Sequence, residues 1–170
     1  MNATVRSAQV EDVPQILAFI RELAEYERLA HTVTATEELL RQSLFGAKPA
    51  AEALVAAVDG VDVGVALFFS NFSTFNGLPG IYLEDLYVQP HARGQGIGKA
   101  LLRRVAALAV ERGCGRLEWA VLDWNEPSIQ FYRGVGAQPL EEWTTYRLTG
   151  ESLTKLAGNK CNWPQRGRVV

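Results

Sequence analysis

The stretch whose residue types most directly imply chemistry is Arg93-Gly94-Gln95-Gly96-Ile97-Gly98, followed by Lys99. Glycines let a backbone approach a ligand closely, and a helix opening out of them adds unpaired N–H groups with partial positive charge. That combination is an anion site, most simply one for phosphate or pyrophosphate. Two better-known phosphate loops do not fit. A Walker loop needs Gly where Arg93 stands and Ser or Thr where Ala100 stands, and the dinucleotide fingerprint needs Gly at Lys99. Just upstream lie two adjacent carboxylates, Glu84 and Asp85, which in a regular strand point to opposite faces. Downstream, Ser128 and Tyr132 are four residues apart and share one helix face. Taken alone, Tyr132 reads first as a core aromatic, and Glu84 or Asp85 can also be a strand-end carboxylate in a salt bridge.

These residues need elements to hold them. Ile81 to Val88 is a β-branched and aromatic run that reads as a strand buried on both faces, stopped by Pro90. Ile97, Leu101, Val105 and Leu108 then mark a helix ending at Gly113. Before them come a strand over 3–8, a helix from Glu11–Pro14 to near Leu29, and a helix from Thr36 (its N-cap) to Phe45. Strands at 53–58 and 63–69 are joined by Asp59-Gly60-Val61-Asp62, and Ser70 to Gly80 reads as a loop. After Gly113 follow a strand over 116–122, a helix from Asn125 to Gly134 or Gly136, a closing strand over 142–148 and a short turn at 152–156. This order predicts an α/β (α+β) fold: a mixed, mostly antiparallel sheet with helices on both faces.

The Arg-x-x-Gly-x-Gly loop after a strand, together with Asn125-Glu126-Pro127-Ser128-Ile129-Gln130-Phe131-Tyr132-Arg133-Gly134-Val135-Gly136-Ala137, resembles the GNAT superfamily of N-acetyltransferases. The resemblance implies that Arg93, Gly94, Gln95, Gly96, Ile97, Gly98 and Lys99 bind the pyrophosphate of acetyl-coenzyme A through backbone amides. It further implies that backbone around Leu86, Tyr87 and Val88 polarises the thioester carbonyl, that Asn125 and Ser128 contact the coenzyme, and that Tyr132 lies beside its sulfur. Ile20 to Glu27, Tyr82 to Leu86 and Val121 to Ser128 look like the diamine acetyltransferases, which acetylate spermidine and spermine. Val121-Leu122-Asp123-Trp124-Asn125 and Lys155-Leu156-Ala157-Gly158 look more like a branch preferring thialysine.

An alkyl amine with a pKa near 10.4 is neutral in roughly one molecule per few thousand at pH 7, so the reaction needs a base. The resemblance assigns that role to Glu84 and the returning proton to Tyr132. Tyr26, Glu27, Glu84, Asp85, Glu118 and Trp119 are the candidate acceptor contacts, since carboxylates and aromatics suit a cationic amine. Two other readings stay open: a protein or antibiotic amine as acceptor, or an acyl-coenzyme A sensor without turnover.

Composition is that of an ordinary globular chain, with 48% hydrophobic and 21% charged residues. A net charge of −2 without a basic stripe gives nucleic-acid binding no support. There is no apolar run to cross a membrane, no signal-like start and no metal-ligand spacing around Cys114 or Cys161; both cysteines read as free thiols in a cytoplasmic protein. One catalytic domain is expected over 1–158, followed by a disordered tail over 159–170, with a homodimer implied by the resemblance.

Overall fold

β1 (Ala3–Ser7), β2 (Glu52–Val58), β3 (Val61–Ser73), β4 (Leu78–Val88) and β5 (Leu117–Trp119) form one sheet in sequence order. The computed structural model describes residues 3–158, so the reading of the tail and Cys161 lies outside the described residues. Three pairings are antiparallel and only β4–β5 is parallel, as the mixed sheet expected from the chain order requires. The β2–β3 turn is tighter than expected. Val58 pairs with Val61, and Asp59 and Gly60 both have positive φ, the two-residue turn whose twist suits a hairpin.

Two helices cover one face of the sheet. α1 (Val13–Tyr26) and α2 (Glu37–Phe45) bring Ile16, Phe19 and Leu44 against Val55, Val65, Leu67 and Tyr87. α2 starts at the expected cap, where Thr36 Oγ1 accepts the Leu39 N–H at 3.3 Å. α1 stops three residues short of Leu29. α3 (Ile97–Glu111) lies on the other face: a Cβ built on Gly64, whose neighbour Val65 faces α1, would sit 3.5 Å from Leu101 Cδ1.

Three expectations are corrected. Ser70 to Gly80 is no loop; β3 and β4 continue as one long hairpin, with Ser70 opposite Ile81 and Ser73 opposite Leu78. Its alternation was hidden by Asn, Ser and Gly, residues of low strand propensity that the ladder overrides. The strand expected over 116–122 contracts to three residues. The closing strand over 142–148 does not form; Trp143 and Tyr146 are exposed and no strand pairs with this segment among the described residues. Strand propensity that no ladder pairing takes up leaves the chain irregular.

The chain divides into two compact units, one ending at Glu126 and one starting at Pro127. The second carries most of α4 (Glu126–Gly134) and α5 (Gly150–Ala157), which absorbs the turn expected at 152–156. Among the described residues no helix is long and apolar enough to cross a membrane, and no group of three His, Cys, Asp or Glu side chains could hold a metal ion.

Candidate active site

The glycine loop is shaped by backbone conformation. Gly94 (φ 75°) and Gly96 (φ 80°) are left-handed, which side chains other than Gly adopt only with strain. Gly96 is the N-cap of α3 and has no side-chain cap, and the helix makes its first bond from Ala100 N–H to Gly96 O at 2.9 Å. The amides of Ile97, Gly98 and Lys99 therefore precede the intrahelical ladder. A Cβ built on Gly94 or Gly96 would meet nothing within 4 Å, so the loop is open on that side. Gln95 Nε2 donates to His91 O at 3.2 Å, while buried Ile97 anchors the helix start. The donor set fits a pyrophosphate.

In β4 the expected regular alternation breaks at Glu84. Leu67 pairs with Asp85 and Phe68 with Leu83, so Glu84 is an extra residue, a β-bulge that leaves it exposed. Asp85 follows Leu67 onto the α1 face and is half-buried. Burial first, then the charges of Glu84 and Glu27, push its carboxyl up to about 6. Burial also raises Glu27. Glu27, Glu84 and Asp85 thus share one electrostatic neighbourhood of mutual repulsion. Beyond Leu83, no strand pairs with β4 on its β5 side among the described residues, so the backbone edge over Glu84–Val88 lies open there. Leu86 and Val88 pair only with Ala66 and Gly64 of β3. Tyr87 is buried, and burial with the neighbouring Glu22 carboxylate pushes its hydroxyl up to about 12.

The end of α1 is tied to this strand. Glu22 accepts both 3.2 Å hydrogen bonds from Gln89 Nε2. The Arg93 Nε–H donates to Val88 O at 2.8 Å, and its guanidinium lies 5.0 Å from the Tyr26 ring centre and 5.7 Å from that of Tyr87. Arg93 therefore joins the start of the glycine loop to the end of α1. Tyr26 donates its hydroxyl to Asn125 Oδ1 at 3.0 Å; Asn125 is only 5% exposed. The Tyr26 ring also packs 6.0 Å from Trp124.

α1 closes in a Schellman arrangement: Leu29 N–H donates to Ala24 O at 2.7 Å and Arg28 N–H to Glu25 O at 3.0 Å. The left-handed position within it, usually Gly, is held by Arg28 (φ 63°), at a cost of order 1–2 kcal/mol. The Arg28 guanidinium lies 5.2 Å from the Trp124 ring centre.

The remaining candidates lie on β5 or in the second unit. On β5, Glu118 Oε2 is 2.9 Å from Arg116 Nε and accepts from Asn71 Nδ2 at 3.0 Å. The first contact is Coulombic only, since the buried Arg116 Nε–H finds no hydrogen-bond acceptor among the described residues. Glu118 is thus engaged by protein partners, and its neighbour Trp119 is half-buried opposite Leu83. In the second unit Ser128 and Tyr132 are half-buried on α4, one turn apart, and Tyr132 packs 5.3 Å from the Phe131 ring.

Arg28, Trp124, Glu22 and Gln89 escaped the sequence reading as site residues. Nothing in a sequence flags a left-handed Arg; Trp124 had a signal, its place inside the Asp123-Trp124-Asn125 run.

A mixed sheet, a bulged strand beside an open glycine loop, and an acidic and aromatic helix end define an acyltransferase scaffold. The acetyltransferase (GNAT) family model matches residues 16–137, and the chain belongs to that family of N-acetyltransferases. It is 42% identical to the thialysine N-epsilon-acetyltransferase of Bos taurus, over 91% of this chain and 96% of that protein. It is 33% identical to an L-ornithine N5-acetyltransferase of Arabidopsis thaliana, over 92% and 88% respectively. Among solved structures, an integron cassette protein from the mobile metagenome of V. cholerae superposes with a TM-score of 0.77 at 27% identity, covering 92% of this chain and 98% of that one.

Proposed function

We propose that the protein transfers the acetyl group of acetyl-coenzyme A to the primary amine of a small cationic acceptor, a thialysine- or lysine-like amino acid or a diamine. The observation that carries this reading is the repulsive set Glu27, Glu84 and Asp85 at an exposed bulge beside an open strand edge. A cation entering there relieves a repulsion that the folded protein otherwise bears. Relatives named for thialysine and ornithine acetylation support the same acceptor class.

Acetyl-coenzyme A supplies the thioester, with Gly94 to Lys99 as the pyrophosphate cradle and Asn125 and Ser128 as further contacts. Glu84 takes the amine proton, directly or through a water, because the bulge delivers its carboxylate to the surface while Asp85 and Glu27 hold the ammonium. Backbone N–H groups of the open edge around Leu86 to Val88 polarise the carbonyl. Tyr132 returns a proton to the thiolate, for which a phenol near 10 is a suitable donor to a thiol near 8.5. One catalytic unit over 1–158, a homodimeric assembly and a cytoplasmic setting belong to the same proposal.

Incubation with acetyl-coenzyme A and a mixed pool of amines, read by mass spectrometry, tests it. Acetylated thialysine, lysine, ornithine or putrescine is expected. Acetylation of aminoglycosides or peptide N-termini alone would move the acceptor to an antibiotic or protein amine, and binding without any product would make the protein a sensor.

A further inference from the structure

We infer that the Arg28 guanidinium, held over Trp124 beside Tyr26, reads a carboxylate at the far end of the acceptor, so that amino-acid amines are preferred over diamines of the same length. This rests on the function proposed above and narrows its substrate class.

The local backbone favours Gly at this position, yet the chain places an Arg in the left-handed conformation. Among the described residues Arg28 makes no ion pair in return. Among the described residues its guanidinium lies against the Trp124 ring, 5.2 Å away, and Trp124 in turn packs against Tyr26. Stacking on an aromatic face directs a planar guanidinium while leaving its N–H edge free for bidentate contact with a carboxylate. Arg28 and Trp124 are both exposed, so that edge faces solvent rather than a packed core.

The charge order along the chain completes the inference. Glu27 belongs to the acidic neighbourhood of Asp85, and Arg28 follows it directly, so negative and positive groups stand one residue apart at the mouth of the site. A diamine presents two cations; one suits the carboxylates and the other is repelled by Arg28. A lysine-type acceptor carries the same two ammonium groups, but the far one is balanced by the carboxylate beside it, which the Arg28 fork can pair.

Lysine and cadaverine differ by that carboxylate alone and make the cleanest probe pair. In steady-state thiol-release assays, Arg28→Gln should lower the lysine-to-cadaverine ratio of kcat/KM by at least ~10-fold, mostly through KM for lysine. Arg28→Lys, which keeps the charge without the fork, should restore part of the ratio. A purely structural role at the helix end would depress both substrates alike and leave the ratio unchanged, which would overturn the inference. An unsubstituted enzyme that already prefers cadaverine would overturn it too. A protein that acetylates neither amine would instead overturn the function on which the inference rests.

Discussion

Replacing Glu84 with Gln preserves the size of the bulged side chain and removes the carboxylate proposed as base. Turnover should drop by about 10²–10⁴ and recover partly at high pH, where free amine is plentiful. Tyr132→Phe keeps the ring beside Phe131 and loses only the hydroxyl, so coenzyme affinity should hold while kcat falls, with far less rescue at high pH. Full activity of either variant near pH 7 removes that residue from the mechanism. Asp85 gives a pH signature of another kind. Its carboxyl is raised in the folded state to about 6 from 3.8, so the folded protein holds this proton more tightly than the unfolded chain does. The resulting stability is present below pH 4 and is lost as pH rises through 6. Thermal melts of Asp85→Asn against the parent should therefore favour the variant increasingly from pH 4 to pH 7; a constant difference would contradict the raised carboxyl. Glu84 and Tyr132 could be singled out in the sequence, one as half of an adjacent carboxylate pair on a strand and the other as the end of a Ser-x-x-x-Tyr helix face. Their proposed roles come from the family resemblance. The burial and like-charged company of Asp85 were not legible, since they depend on a bulge and on a helix end more than fifty residues away.

Among the elements, the glycine loop was the most legible and behaves as its composition demands: two left-handed glycines, then a helix start without a side-chain cap. Gly96→Asp places a side chain on a left-handed backbone and a negative charge where pyrophosphate would approach. Calorimetry should show acetyl-coenzyme A affinity falling at least tenfold, about 1.4 kcal/mol. Unchanged affinity in a folded variant would refute the cradle. Strand limits were less legible. The β3–β4 hairpin extends through Asn71 and Gly80, which read as loop residues, because ladder pairing outweighs propensity. The segment 142–148 failed in the opposite sense, strand-like in composition yet irregular. Arg93 read as a coenzyme contact from its place in the motif. Its bond to Val88 O and its position over Tyr26 and Tyr87 add a connection between loop and helix that spacing could not reveal.

At the scale of the molecule, the mixed sheet with helices on both faces was readable from element order, and family membership from two motifs about thirty residues apart. Its division at Glu126 was not readable, because the break falls inside a motif that reads continuously. In the proposed function acceptor choice belongs to this scale, since it would combine Tyr26, Glu27, Glu84 and Asp85, residues of one helix end and one distant strand. The most direct test is the ranking of kcat/KM at saturating acetyl-coenzyme A for thialysine, lysine, ornithine, putrescine, an uncharged amine, an aminoglycoside and a peptide N-terminus. The small cationic amines should lead, with release of thiol strictly dependent on the amine. A higher value for the aminoglycoside, the peptide or the uncharged amine, or thiol release indifferent to the amine, would contradict the account.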